Sequence, residues 1–125
     1  MILDTNAVSD LLEGNHALET LLARRARHEL PVIVIGEYRY GLARSRLRRT
    51  LTPLFDELIR ESTVLSIGPD TAVAYAVVRG ALRAKGTPIP ENDVWISALA
   101  LQHRLDIASR DSGFDHVAGV RRHSW

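Results

Sequence analysis

Four acidic residues carry the chemistry that this sequence offers. Asp4 follows three apolar residues in MILDTN, and Glu37 follows a β-branched run in PVIVIGEYRYG. Asp93 lies in PENDVWISA, and Asp111 in DIASRDSGFD, with Asp115 four residues further on. Singly, each reads as a helix cap or first-turn acid, where free N–H groups and the helix dipole favour a carboxylate. A cluster reads differently. Carboxylates held within a few ångströms repel and raise one another's pKa, so a group of four calls for a neutralising cation. The chain has no Cys, and no His adjoins these four acids. The ligand set is therefore all hard oxygen, which suits Mg²⁺ or Mn²⁺ and not zinc. An ion held in this way activates water and stabilises the leaving oxygen of a phosphodiester, with two metals ~4 Å apart in many nucleases.

The elements that must bring these acids together are short strands alternating with helices. MIL, PVIVI (31–35), TVLSI (63–67) and DIAS (106–109) are β-branched, apolar runs without alternation. Such runs suit strands buried on both faces of a parallel sheet. Between them, Val8, Leu11 and Leu12 begin one helical stripe, and Leu18, Leu21 and Leu22 form another behind an Asn15 cap. Leu51, Leu54, Phe55, Leu58 and Ile59 make an i, i+3, i+4, i+7, i+8 stripe. Pro69 starts a helix that Gly86 stops, and residues 90–104 predict a buried helix, apolar almost all round. The expected architecture is a three-layer α/β/α sandwich with a mostly parallel sheet of four to five strands. In such a fold ligands gather beyond the carboxyl ends of the strands. Asp4 ends the first strand, Glu37 lies just past the second, Asp93 opens the buried helix and Asp111 follows the fourth strand, so all four acids should meet at one sheet edge.

Composition sets the limits. The 125 residues bound a single domain, with 46% apolar and 25% charged residues, as in an ordinary globular protein. No repeat, low-complexity tract or linker divides it. The start lacks the pattern of a signal peptide, and no apolar run approaches the ~18 residues of a membrane span. These features, with the absence of Cys, lead us to expect a cytoplasmic protein. Basic residues comprise fifteen Arg and Lys85. Sixteen cations face fifteen acids overall; with the four clustered acids set aside, the cations outnumber the remaining acids by five. Arginines bunch at Arg24, Arg25 and Arg27, at Arg44, Arg46, Arg48 and Arg49, and at Arg121 and Arg122. A neutralised acidic pocket ringed by arginine suits a polyanion, although a solvated basic face produces the same pattern.

Taken in order, LDTN, GEYRYG, PENDVWISALAL and ASRDSGFDHV resemble the PIN-domain ribonucleases, in particular the VapC-type toxins. The resemblance spans essentially the whole chain. It implies a compact α/β/α domain that binds Mg²⁺ or Mn²⁺ through acids and cleaves RNA. Asp4, Glu37, Asp93 and Asp111 take the acidic positions, and Asp115 stands where some members carry an additional acid. Thr5 and Asn6 would orient Asp4 or a bound water, and Ser109 keeps a hydroxyl where many members have Thr. Arg44, Arg46 and Arg110 are candidate RNA contacts, with a local salt bridge as the alternative for Arg110. The resemblance also implies an antitoxin partner that covers the acidic pocket, and a homodimer or a toxin–antitoxin hetero-oligomer. Tyr38, Tyr40, Leu42 and the stripe from Leu51 to Ile59 are candidate contact surfaces, with core burial as the alternative.

Three other readings compete. The fold could serve as a non-catalytic RNA- or protein-binding module, in which case the acids need not converge. A haloacid-dehalogenase-like phosphatase wants a second Asp where Asn6 stands. A phosphoacceptor receiver domain needs a lysine at a later strand end, yet the only lysine, Lys85, falls in a helical stretch. His16, His28, His103, His116 and His123 are scattered, and none is assigned as a catalytic base.

Overall fold

The computed structural model describes residues 1–125. Five very short strands form one sheet: β1 (Ile2–Leu3), β2 (Glu29–Pro31), β3 (Thr63–Leu65), β4 (Ile107–Ala108) and β5 (Arg122–His123). Their order across the sheet is β3-β2-β1-β4-β5, and every pairing is parallel. Ile2 pairs with Glu29 on one side and Ile107 on the other, so β1 is central. Ile2, Leu3, Ile107 and Ala108 are all fully buried. Neighbours along a strand point to opposite faces, so helices must cover the sheet on both sides. This is the expected α/β/α arrangement.

Six helices make the connections: α1 (Thr5–Leu12), α2 (His16–Leu22), α3 (Val32–Ala43), α4 (Arg48–Glu61), α5 (Pro69–Lys85) and α6 (Glu91–His103). Asn15 caps α2 by accepting from the Leu18 N–H, as its residue type predicts. Gly86 ends α5 in the left-handed region at φ 68°. The main core joins the sheet to α1–α4 and α6 through Leu18, Leu30, Val34, Phe55, Ile96 and Leu99. A smaller apolar cluster of Val78, Leu82, Val94 and Val117 fastens α5 to α6. No helix is long and apolar enough to cross a membrane.

One expected element is wrong. PVIVI is not the second strand; that strand is Glu29–Pro31, and Val32 already begins α3. Tertiary packing overrides the β preference of the branched residues. Val34, Tyr38 and Leu42, spaced i, i+4, i+8, all bury on one face of α3, while Val32 is left 44% exposed. Glu37 consequently sits within α3 rather than at its start. The fifth strand, Arg122–His123, has no apolar signature, and its pairing to β4 is what makes it a strand.

Candidate active site

The strand order reverses direction at β1: the chain runs outward to β2 and β3, then returns to the other side for β4. A crevice forms at such a point, beyond the carboxyl ends of the central strands. Asp4 immediately follows β1, and Ser109 immediately follows β4. Asp4 also caps α1, its Oδ1 accepting from the Ala7 N–H at 2.9 Å. Its carboxylate is thus both a cap and a pocket residue, and only 4% of Asp4 is exposed. Oδ2 accepts from Asn6 Nδ2 at 2.8 Å and from the Ser109 hydroxyl.

Asp4, Glu37, Asp93 and Asp111 all line one cleft of about 400 Å³, together with Thr5, Asn6, Ser9, Ile96 and Arg110. Glu37 reaches it from α3, Asp93 from the first turn of α6, and Asp111 from the N-cap of a 3-10 turn at Ser112–His116. Three of the carboxylates, those of Asp4, Glu37 and Asp111, are restrained by hydrogen bonds. Thr5 Oγ1 donates to Glu37 Oε2 at 2.9 Å, and Asn92 Nδ2 donates to Oε1 at 2.6 Å. The Gly113 N–H donates to Asp111 Oδ1 at 2.8 Å. Ser109 Oγ accepts from the Asp111 N–H at 2.9 Å while donating to Asp4, so one buried hydroxyl ties two acids together.

The electrostatics follow from this crowding. Burial pushes Asp4 up to about 6, opposed by the hydrogen bonds from Ser109, the Ala7 N–H and Asn6, while the charge of Asp111 pushes the same way as burial. Burial also dominates at Asp93, pushed up to about 7 with the added charges of Asp111, Asp4 and Glu37 and a hydrogen bond to Asp111. The pocket therefore holds protons near neutral pH that an ordinary carboxylate would release. Its donors are all oxygen, the chemistry of a hard divalent cation. The carboxylates face a common space without clasping it: no three of them form a ready-made ligand set. Oxygens of Asp4, Glu37 and Asp111 are instead occupied by the Thr5, Asn6, Ser109, Asn92 and backbone donors.

The other candidate residues divide. Asn6 links the two sides of the cleft, donating to Asp4 and accepting the Arg110 N–H at 3.0 Å. Arg110 lines the cleft. Asp115 does not line it; Arg122 donates to both of its oxygens, at 2.9 and 2.8 Å, and holds its carboxyl below the usual range. Arg44 and Arg46 lie outside the cleft at the α3–α4 connection, where Arg44 donates to the Tyr40 hydroxyl at 3.1 Å. Of the candidate contact residues, Tyr38, Leu42, Leu51, Phe55 and Leu58 are buried in the core, while Tyr40 and Leu54 remain 67% and 47% exposed. Sequence reasoning missed Asn92, whose position beside Asp93 in a helix start was the available signal. It also missed Asp10, one turn beyond Asn6, and Trp125, which nothing in the sequence connects to the site.

A profile of the PIN domain matches residues 1–120. The chain belongs to the PIN-domain family. The toxin FitB of Neisseria gonorrhoeae is 29% identical over 96% of this PIN-domain chain and 94% of its own. Ribonuclease VapC2 of Haemophilus influenzae is 26% identical over 74% of this chain and 71% of its own. Among solved structures, FitAcB from Neisseria gonorrhoeae superposes with a TM-score of 0.83 at 26% identity, covering 97% of this chain and 94% of that one. VapBC2 from Rickettsia felis, bound to a DNA fragment from its promoter, gives 0.88 at 19% identity over 99% and 97%. At that identity the second likeness is one of fold. The residue pairs that build the cleft, Asp4 with Ser109 and Thr5 with Glu37, thus belong to a PIN domain.

Proposed function

We propose that this PIN domain is a divalent-metal-dependent endoribonuclease that acts as the toxin of a toxin–antitoxin pair in the cytoplasm. The observation that carries the reading is the meeting of Asp4, Glu37, Asp93 and Asp111, from four separate segments, in one cleft. The ribonuclease and toxin assignments of its relatives support the activity and the biological role. The solved neighbours include a toxin–antitoxin complex from Klebsiella pneumoniae and VapBC-5, a member of the VapBC family of toxin–antitoxin systems, from Mycobacterium tuberculosis, and these support an antitoxin partner.

Asp4, Glu37, Asp93 and Asp111 would hold Mg²⁺ or Mn²⁺, which when bound supplies an acidified water and positive charge at the cleaved phosphodiester. The protein's own part is to arrange the carboxylates. Ser109 and Asn6 fix Asp4 at the end of β1, and Thr5 and Asn92 aim Glu37 across from it. Asp93, whose pKa is raised by burial and then by the charges of Asp111, Asp4 and Glu37, would hold the cation as a carboxylate, so binding would be linked to loss of its proton. A second hollow, lined by Thr5, Ser9, Glu37, Ser45 and Leu47, continues from the acidic cleft toward the α3–α4 connection. Arg44, Arg46, Arg48 and Arg49 do not line that hollow but stand exposed along the α3–α4 connection and the start of α4, a basic surface suited to the RNA backbone.

Purified chain should cleave single-stranded RNA in Mg²⁺ or Mn²⁺ and stop in chelator. Expression alone should arrest growth, and Asp4→Asn or co-expression of the neighbouring open reading frame should relieve the arrest. Intact RNA in both metals, across a broad panel of structured RNAs, would overturn the nuclease reading.

A further inference from the structure

Arg110 is restrained more than an exposed arginine needs to be. Its backbone N–H donates to Asn6 Oδ1 at 3.0 Å, and its Nη2 donates to Asp10 Oδ1 at 3.1 Å. Asn6 and Asp10 are one helical turn apart, so a single face of α1 grips both ends of the residue. Trp125 completes the arrangement: its Nε1 donates to the other oxygen of Asp10 at 2.9 Å, and its ring lies 5.9 Å from the guanidinium carbon. The Asp10 side chain is only 15% exposed, whereas that of Arg110 is 55% exposed. The acid is enclosed and committed, and the cation is presented outward at the wall of the acidic cleft.

An exposed ion pair adds little to stability, so stability alone does not account for two residues spent on fixing this side chain and a third on its backbone. A guanidinium has five N–H donors, and this one gives a single hydrogen bond to Asp10. The remainder are free for another oxyanion. Fixing the side chain beforehand removes the rotamer loss that binding would otherwise incur. We infer that Asp10 and Trp125 are positioning residues that hold the Arg110 guanidinium against the acidic cleft, where it takes a phosphate of the RNA strand beside the bond to be cut. The inference rests on the ribonuclease reading and adds its substrate-orienting residues.

The test is binding of a short fluorescent single-stranded RNA to the full chain carrying Asp93→Asn, titrated across a series of salt concentrations. Cleavage by the unaltered chain is measured alongside. Arg110→Ala should weaken binding about three- to tenfold. It should also lower the log–log salt slope by about 0.7, the loss of one phosphate contact on a single strand. Trp125→Phe keeps an aromatic ring and removes the donor, and Asp10→Asn removes the charge. Both should weaken binding in the same direction, and neither should weaken it further when Arg110 is already Ala. Arg110→Lys should restore the salt slope while leaving part of the affinity lost, because a point charge replaces the fork. The inference fails if Arg110→Ala leaves the slope unchanged. It also fails if Trp125→Phe weakens binding equally with and without Arg110, or only lowers the thermal midpoint. RNA binding with these dependences but without cleavage by the unaltered chain would sustain the phosphate contact of Arg110 and overturn both the nuclease reading and the placing of that contact beside a cut bond.

Discussion

Asp93 and Ser109 show how one side chain can either oppose or support the fold around the cleft. Asp93 is pushed up to about 7 by burial and by three neighbouring acids. An acid whose folded pKa lies above its unfolded value holds more protons when folded, between the usual carboxylate range and about pH 7. Stability of the metal-free protein should therefore fall as pH rises through that window and level off above it. Asp93→Asn removes the charge, so in chelator it should raise thermal stability at pH 7.5 by about 0.5–2 kcal/mol while abolishing cleavage. At pH 4.5 the gain should shrink, because folded Asp93 is then protonated and uncharged, and it should vanish only below the unfolded carboxylate value; thermal melts at the two pH values distinguish these outcomes. Ser109 has the opposite role. Fully buried, it donates to Asp4 and accepts from the Asp111 N–H. Ser109→Ala should cost about 1–3 kcal/mol by leaving that N–H and part of Asp4 unsatisfied. Denaturant melts would measure the loss, and cleavage should decline with it.

At the scale of elements, helix ends give the sharpest stability predictions. Gly86 closes α5 at φ 68°, with open space around the site of a Cβ. Gly86→Ala should thus incur only the backbone penalty of a left-handed residue, about 1 kcal/mol, with cleavage unchanged. Arg104 closes α6 in the same region at φ 54° without being glycine. Arg104→Gly should stabilise by up to about 1 kcal/mol, reduced by the extra freedom of the unfolded chain. A pair of urea titrations checks both signs. Elements of this kind were readable in the sequence because their signals are local: the Asn15 cap and the Gly86 stop stand as expected, and of the Leu51–Ile59 stripe Leu51, Phe55 and Leu58 bury while Leu54 stays exposed. α3 was not, because its register is set by the burial of Val34, Tyr38 and Leu42 against other elements. β5 was illegible for a related reason, since Arg122 and His123 are a strand only through Ile107 and Ala108. The four acids were legible as a set because they follow strands or open helices, and Glu37 reaches the cleft although its local setting was misread. Asn92 and Trp125 act through partners 55 and 115 residues away, which no spacing rule reveals.

Across the whole molecule, charge is segregated. Four acids share the cleft, and the remaining acids are outnumbered by cations by five. RNA cleavage at low substrate should consequently fall steeply with salt, at about 0.7 in log–log slope for each phosphate neutralised. Salt titration of kcat/KM reads this directly, and a flat response would show that the arginines serve only solubility. Divalent cation should compete with the protons on Asp4 and Asp93, so its apparent affinity should climb between pH 5 and 7, in the range set by pKa values of about 6 and about 7. Isothermal titration at three pH values would measure the trend.

The central position of β1 has a consequence for the time at which the acidic cleft can close. β1 pairs with β4, and the Ser109 hydroxyl that fixes Asp4 lies 105 residues further along the chain. Chains emerge from the ribosome N-terminus first, and contacts of such separation form only after both partners are present. A nascent chain that has displayed Asp4 and even Glu37 still lacks Asp93, Asp111 and the strand that closes the crevice. The cleft is thus completed only after β4 and the turn that carries Asp111 have emerged, more than a hundred residues behind Asp4.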